Sequence, residues 1–421
     1  MSESLAKHTC PCGRRGSALR RFELCALAGL IAAALTAGCG SGASGGARGK
    51  IPARQATLAI VNGRLIDGSG ARPVKNAVVL IKGKRIVFAG PRGKVAIPRN
   101  ARRLDARGGT ILPGFINTHA HQVIDESNLR AWLLGGVTTV RDLGSGPDYE
   151  WAFSERDRLN RSSRTARLLA VGPLITVPGG YPEAIWGSPG LEVTSVEDAR
   201  AQVDRLIHAG CDTVKIALES GEIFGRDDLP MLSPTEVKAI VEVAHAHGKR
   251  VSAHAMVTRD IERAVDGGVD EIAHFDVQNI PQSLIRRMVA AHIDWVPTLE
   301  LLRVVGATIY GNSLERFARA GGIVALGTDY MGAGPQYGYD LGMPIHELVY
   351  MDQLGLTPMQ AIQAATANAA YALDRPELGL LEKGKIADVI VVRGNPLRSL
   401  EVLRKVELVV HNGVVVRSKL K

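Results

Sequence analysis

From residue 110 to about residue 375 this chain repeats one unit eight times: a short apolar, β-branched run, then in most cases an amphipathic stretch. The runs are 110–118, 138–141, 168–171, 213–216, 250–253, 271–273, 295–298 and 323–327. Amphipathic segments such as 196–208, 234–247, 261–265 and 284–291 lie between them. Strands covered by helices read as continuous apolar runs instead of alternating ones. Eight such units over roughly 260 residues predict a (β/α)8 TIM barrel. A doubly wound sheet would need fewer units and a Gly-rich phosphate turn, and neither is present.

The two ends of the chain have a different texture. Residues 58–67 alternate apolar and polar and close on Gly68-Ser69-Gly70, and 77–82 and 85–89 are joined at Gly83-Lys84. Far downstream, 388–393, 406–412 and 414–417 repeat this style, with Asn412-Gly413 as a hairpin turn. The economical reading is one small β-sandwich built from both ends, residues 57–113 and 376–421, flanking a barrel over 114–375.

Residues 1–38 look like an address. Arg14, Arg15, Arg20 and Arg21 precede an apolar stretch, 24–37, that is too short to span a bilayer of roughly 30 Å. The ending Leu35-Thr36-Ala37-Gly38-Cys39 resembles a bacterial lipoprotein signal, in which Cys39 becomes the lipidated first residue. Residues 39–56, rich in Gly and Ser, then form a flexible tether. The expectation is an exported protein held by a lipid anchor on a bacterial membrane, facing the periplasm or the outside. A buried N-terminal helix and a twin-arginine signal fit these residues less well.

The net charge of +9 falls to +6 without residues 1–38, which carry +3. Basic residues are scattered and aromatic residues make up only 5%. Such a surface is soluble and offers no stacking platform, which argues against nucleic-acid binding. Four of the five cysteines lie in the first forty residues, so no disulfide framework exists, and Cys211 is expected to be packed.

Six polar residues sit at the ends of the predicted barrel strands, where side chains converge on one face. They are His119 and His121, Lys215, His254, His274 and Asp329. His119 and His121 are two apart on an extended segment, so both imidazoles share a face and can bind one ion. Lys215 stands among apolar residues, where a bare ammonium is costly. It pairs with an acid, snorkels at the strand end, or is carbamylated by CO₂, which would give a carboxylate able to bridge two metals. His254 and His274 can aim ring nitrogens at a second ion, although each alone would suit a satisfied core histidine. Asp329 can be both an oxygen ligand and a proton acceptor. Imidazole and carboxylate donors suit zinc, with manganese, cobalt and iron also admissible. His208, His245, His247, His292, His346 and His411 stand outside this pattern and are expected mostly at the surface or in supporting positions. Arg141 and Asp142 are expected to form a structural or supporting ion pair, with substrate contacts as the alternative.

These residues resemble the amidohydrolase superfamily, in the branch of imidazolonepropionases and prolidase-like dipeptidases. The similarity runs from about residue 58 to 416. Besides the six residues it includes Leu112-Pro113-Gly114-Phe115-Ile116-Asn117-Thr118, Gly136-Val137-Thr138-Thr139-Val140-Arg141-Asp142, Gly327-Thr328-Asp329 and Gly384-Lys385-Ile386-Ala387-Asp388. The resemblance implies two divalent ions, zinc foremost. His119, His121 and Asp329 would hold one, His254 and His274 the other, and carbamylated Lys215 would bridge them. A hydroxide shared by the ions would attack an amide carbonyl, with Asp329 carrying the proton to the leaving amine. The expected partner is a small amide, a dipeptide or N-acyl amino acid. A cyclic amide or lactone is a second possibility, and a silent lipid-anchored binding protein a third. Where similar sequences carry Gly-Gly-His-Gly, this chain reads Pro178-Gly179-Gly180-Tyr181-Pro182. Tyr181 is therefore the candidate substrate-binding donor, with plain loop packing as the alternative.

Overall fold

The computed structural model describes residues 51–52, 55–306, 311–332 and 338–420. The predicted leader, Cys39 and nearly all of the tether lie outside them. Among the described residues no helix is long and apolar enough to cross a membrane.

Seven parallel strands form the barrel wall: Phe115–His121, Val137–Asp142, Arg167–Ala170, Val214–Ala217, Val251–His254, Glu271–Ala273 and Asp294–Val296. Ladders join them in sequence order except between the third and fourth. There the link is Asp212 N–H donating to the Ala170 carbonyl at 3.0 Å. The eighth rail is irregular. Over 323–327 it makes a single parallel bridge, Trp295 with Val324. On its other side Thr118 N–H donates to the Leu326 carbonyl at 2.9 Å, which brings the wall back to the first strand. Only past Asp329 does a short parallel ladder form, Tyr330–Met331 with Ala120–His121 of the first strand. The expected strand 323–327 thus supplies a barrel position without a regular ladder. Gly327 is part of the reason: a Cβ there would lie 2.5 Å from the His119 Cβ, so the backbone passes closer to its neighbour than a side chain permits.

The expected strand 110–118 is also two strands. Thr110–Pro113 pairs antiparallel with Val389–Val392, and Phe115–His121 opens the barrel. Proline cannot continue the ladder, and a Cβ on Gly114 would meet Thr138 Oγ1 at 2.3 Å, so the chain turns from one sheet to the other here. The outer helices follow the expected pattern closely. Val196–Ala209 is capped by Ser195, and Pro234–Ala246 by a Ser233/Glu236 capping box with Pro234 in its first turn.

The two chain ends do meet. Their strands form one continuous eight-stranded sheet, in which Thr110–Pro113 joins the late strands to Leu58–Leu65. Ile60, Val79, Ile86 and Ile111 from the first end share one apolar cluster with Val391 and Leu408 from the second, while Val61, Val78, Leu80 and Phe88 on the other face of the early strands form a cluster of their own. Asn412 and Gly413 both have positive φ, as the tight hairpin turn requires. Several short strands escape sequence reading, among them Val95–Ala96, Ile175–Thr176, Leu191–Glu192 and Tyr330–Met331; the longest, Arg102–Asp105, parallel to Leu58–Leu65, buries only Leu104 and shows no alternation long enough to detect.

Candidate metal centre

His119 and His121 end the first barrel strand on the same side. Their Nε2 atoms are 3.2 Å apart, and each lies 3.2 Å from Asp329 Oδ1. Three donor atoms in an equilateral triangle of that edge match one face of a tetrahedral ion, whose ligands at about 2.0–2.1 Å stand about 3.3 Å apart. The contacts are close but poorly aligned as hydrogen bonds: Asp329 Oδ1, although buried, finds no well-directed donor among the described residues. A cation against this triangle would satisfy all three lone pairs, so the residues fit a metal.

Asp329 reaches this place from the irregular eighth rail with φ +55°. His274 has φ +77° and Thr298 φ +48°. Such backbone is uncommon outside glycine and costs on the order of 1–3 kcal/mol each. At the mouth of a barrel it turns side chains inward that a regular strand would aim elsewhere.

The remaining predicted donors lie beside the triangle. His274 Nδ1 is 3.8 Å from Asp329 Oδ2, and its ring centroid is 4.8 Å from that of His119. His254 follows at 4.5 Å from His274, and Tyr181 stacks on His254 at 4.3 Å. Lys215 is buried, and its Nζ has no hydrogen-bond partner among the described residues. Its charge bears on His119, His121 and His274, so it stands close enough to these rings to oppose their protonation. Burial brings its amine down to about 7, against the pull of Glu271.

The protonation pattern favours metal binding at His119, His274 and Asp329, whereas at His121 a cation competes with a proton. Burial, with Lys215 nearby, lowers His119 to about 3 and His274 well below its ordinary value, so both are neutral and keep a lone pair. Burial opposes charge on Asp329, but the surrounding imidazoles outweigh it and hold the carboxyl well below its usual range. Burial would also lower His121; Asp329 beside it wins, and the ring is raised.

Several contributors were invisible in the sequence. Glu219 is buried: its Oε2 lies 3.2 Å from His254 Nε2 and its Oε1 accepts from Gly221 N–H at 2.7 Å. Engaging Nε2 leaves His254 Nδ1 free, the arrangement by which a carboxylate orients a ligating histidine. Thr298 Oγ1 does the same for His274 Nδ1 at 3.0 Å, and the Gly144 carbonyl for His121 Nδ1 at 3.4 Å. The only sequence signal for Glu219 was a carboxylate just past an apolar run, four residues after Lys215.

Arg141 and Asp142 do not pair with each other. They are consecutive on a strand and point to opposite faces. Arg141 faces the barrel interior and meets both oxygens of Glu271, at 2.6 and 2.7 Å. Asp142 accepts from Val123 N–H, Gly144 N–H and Ser145 Oγ. His411 is likewise not at the surface: it is buried against Asp388 at 3.0 Å, in a cluster with Arg167. A second acidic group, Glu300, Asp340 and His346, is answered by the guanidiniums of Arg303 and Arg404. Cys211 is buried, and its thiol is pushed up to about 12 by that burial, so it is packing and not a nucleophile.

Comparison with known proteins follows the same line. Residues 110–416 match the amidohydrolase family model. Ochratoxinase of Aspergillus niger is 27% identical over 419 residues, covering 84% of each chain. Imidazolonepropionase of Deinococcus radiodurans is 25% identical over 368 residues, covering 78% of this chain and 88% of its own. Among solved structures, a prolidase complexed with N-methylphosphonate-L-proline superposes with a TM-score of 0.73 at 26% identity, over 86% of this chain and 100% of its own. The chain belongs to the amidohydrolase family of hydrolases.

Proposed function

We propose that this protein is a binuclear metal-dependent hydrolase that cleaves the amide bond of a peptide or N-acyl amino acid. The observation that carries the reading is the 3.2 Å triangle of His119, His121 and Asp329, with His274 beside it and a buried Lys215 whose Nζ has no hydrogen-bond partner among the described residues. His119, His121 and Asp329 would hold one divalent ion, and His254 and His274 the other. Lys215, free base in a large share at neutral pH, would add CO₂ with loss of a proton and hold both ions as a carbamate. Zinc suits this donor set best. Such a pair of ions supplies an activated water and polarises the scissile carbonyl.

The protein's own groups do the rest. Asp329 takes the proton from the attacking water and delivers it to the leaving nitrogen. Glu219 and Thr298 hold His254 and His274 in register. Burial, reinforced by the Asp329 charge, raises the Tyr181 phenol well above its ordinary value. The phenol therefore stays protonated and can donate to the substrate. The names of the relatives, ochratoxinase and prolidase, support amide cleavage. The test is metal content of the purified protein together with turnover of a dipeptide and N-acyl amino acid panel after loading with zinc, manganese or cobalt. Absence of metal, or no turnover with any of the three, contradicts the reading. A cyclic amide is the second reading, supported by the imidazolonepropionase match. Faster ring opening than peptide cleavage would select it.

Lys215→Ala should lower the stoichiometry from two ions toward one, with partial recovery by a short carboxylate such as propionate. Elemental analysis showing two ions in this variant would contradict the bridge. We also propose that Cys39 carries a lipid anchor, on the leader and Cys39 motif. Cys39→Ser should move the protein from the membrane to the soluble fraction on immunoblots, and retention in the membrane fraction would rule out the anchor.

A further inference from the structure

Three aromatic rings run outward from His254. Tyr181 stacks on the imidazole at 4.3 Å with an interplanar angle of 22°. Phe224 lies nearly parallel to Tyr181 at 6.3 Å and 18°, and Trp186 meets Phe224 edge-on at 5.7 Å. The inner ring is half-buried, while Phe224 is 36% exposed and Trp186 65% exposed. Trp186 ends the short helix Glu183–Trp186, and Phe224 ends the single turn Glu222–Phe224 that follows the Lys215 strand. Two separate loops therefore bring large apolar rings to one line. Neighbouring exposed aromatics on a soluble protein usually mark a binding surface. These are continuous with the candidate centre, and neither metal holding nor proton transfer uses them.

We infer that Phe224 and Trp186 form a subsite for a planar aromatic group on one side of the scissile amide. The inference rests on the hydrolase reading above and narrows its substrate to amides bearing an aromatic group. Ring by ring, Phe224 is at most about 11 Å from His254; a two-residue backbone spans about 7 Å at about 3.5 Å per residue, so it is an aromatic side chain at its end that carries the ligand the rest of the way. The edge of Trp186 and the face of Phe224 meet at a near right angle of 85°, a corner that accepts one ring by offset stacking and edge contact together. A membrane could also take an exposed Trp and Phe. The anchoring of the stack on His254 favours a small ligand instead.

The experiment compares benzylphosphonate with methylphosphonate, which share a metal-seeking anion and differ only in the ring. Binding to the full-length, zinc-loaded protein is measured by calorimetry, so no turnover is needed. Benzylphosphonate should bind at least tenfold more tightly, and the Trp186→Ala/Phe224→Ala double variant should reduce that ratio below threefold. Trp186→Phe, which keeps a ring, should retain most of it. Both sites are at the surface, and an unchanged melting temperature confirms the fold. A wild-type ratio near one, or a ratio unaltered in the double variant, overturns the subsite. So does loss of binding to anionic phospholipid vesicles in the double variant with that ratio unaltered, which would assign the rings to a membrane. No binding of either ligand to the metal-loaded protein overturns the hydrolase reading itself, and the subsite with it.

Discussion

Asp329→Asn is expected to lower kcat by about a thousandfold or more while the protein remains folded. Asparagine is close in size to aspartate and can occupy the same φ +55° backbone, since Asn and Asp tolerate that conformation better than other side chains. What it cannot do is carry a proton at neutral pH. General acid–base groups contribute about 10²–10⁴ in rate, and Asp329 has two further duties: it closes the donor triangle at 3.2 Å from both His119 and His121, and it lies 3.8 Å from His274. Loss of the charge should therefore also weaken metal retention. Metal content measured after dialysis against a mild chelator separates the two effects. If the variant, fully loaded, retains more than a tenth of the wild-type kcat, Asp329 is not the proton carrier.

The Asp329 backbone also shows where sequence reading stops. Periodicity located seven of eight barrel strands because each is an apolar run bounded by polar residues, and a run buried on both faces cannot hide. It also exposed Lys215, because a lysine among Val214 and Ile216 contradicts its surroundings. The eighth rail was assigned as a regular strand, yet its distinctive property is a departure from strand geometry imposed by close approach to His119. That departure depends on a neighbour two hundred residues away. Glu219 and Thr298 were missed for a related reason: each acts on a histidine brought near by the barrel, not by sequence. The joined sheet of the two chain ends was legible from texture, because its strands alternate or end in a recognisable turn. The division of 110–118 into two strands was not, since Pro113-Gly114 reads as a flaw in one strand unless the second sheet is known.

Arg141→Met is expected to destabilise the protein by about 3–5 kcal/mol, the usual cost of removing one partner of a buried pair. Arg141 bonds both oxygens of Glu271 and donates through Nε to the Thr118 carbonyl at 2.6 Å. Ser252 Oγ completes the cluster by donating to Glu271 at 2.7 Å. Four barrel strands thus meet at one charge pair in the barrel interior. Burial alone would raise the Glu271 carboxyl; Arg141 outweighs burial and holds it below its ordinary value. Without the guanidinium, Glu271 becomes a buried anion with Ser252 and a charged Lys215 as its remaining support. Because Arg141 helps keep the Lys215 amine low and Glu271 raises it, the variant should also leave more of Lys215 protonated at neutral pH, and metal uptake should fall. Adding Glu271→Leu removes the stranded anion together with its pull on Lys215, so the double variant should recover stability relative to Arg141→Met alone. Urea unfolding of the four proteins in the cycle measures this. A double variant no more stable than Arg141→Met would mean that Arg141 acts through packing and the Thr118 carbonyl, not through the charge of Glu271.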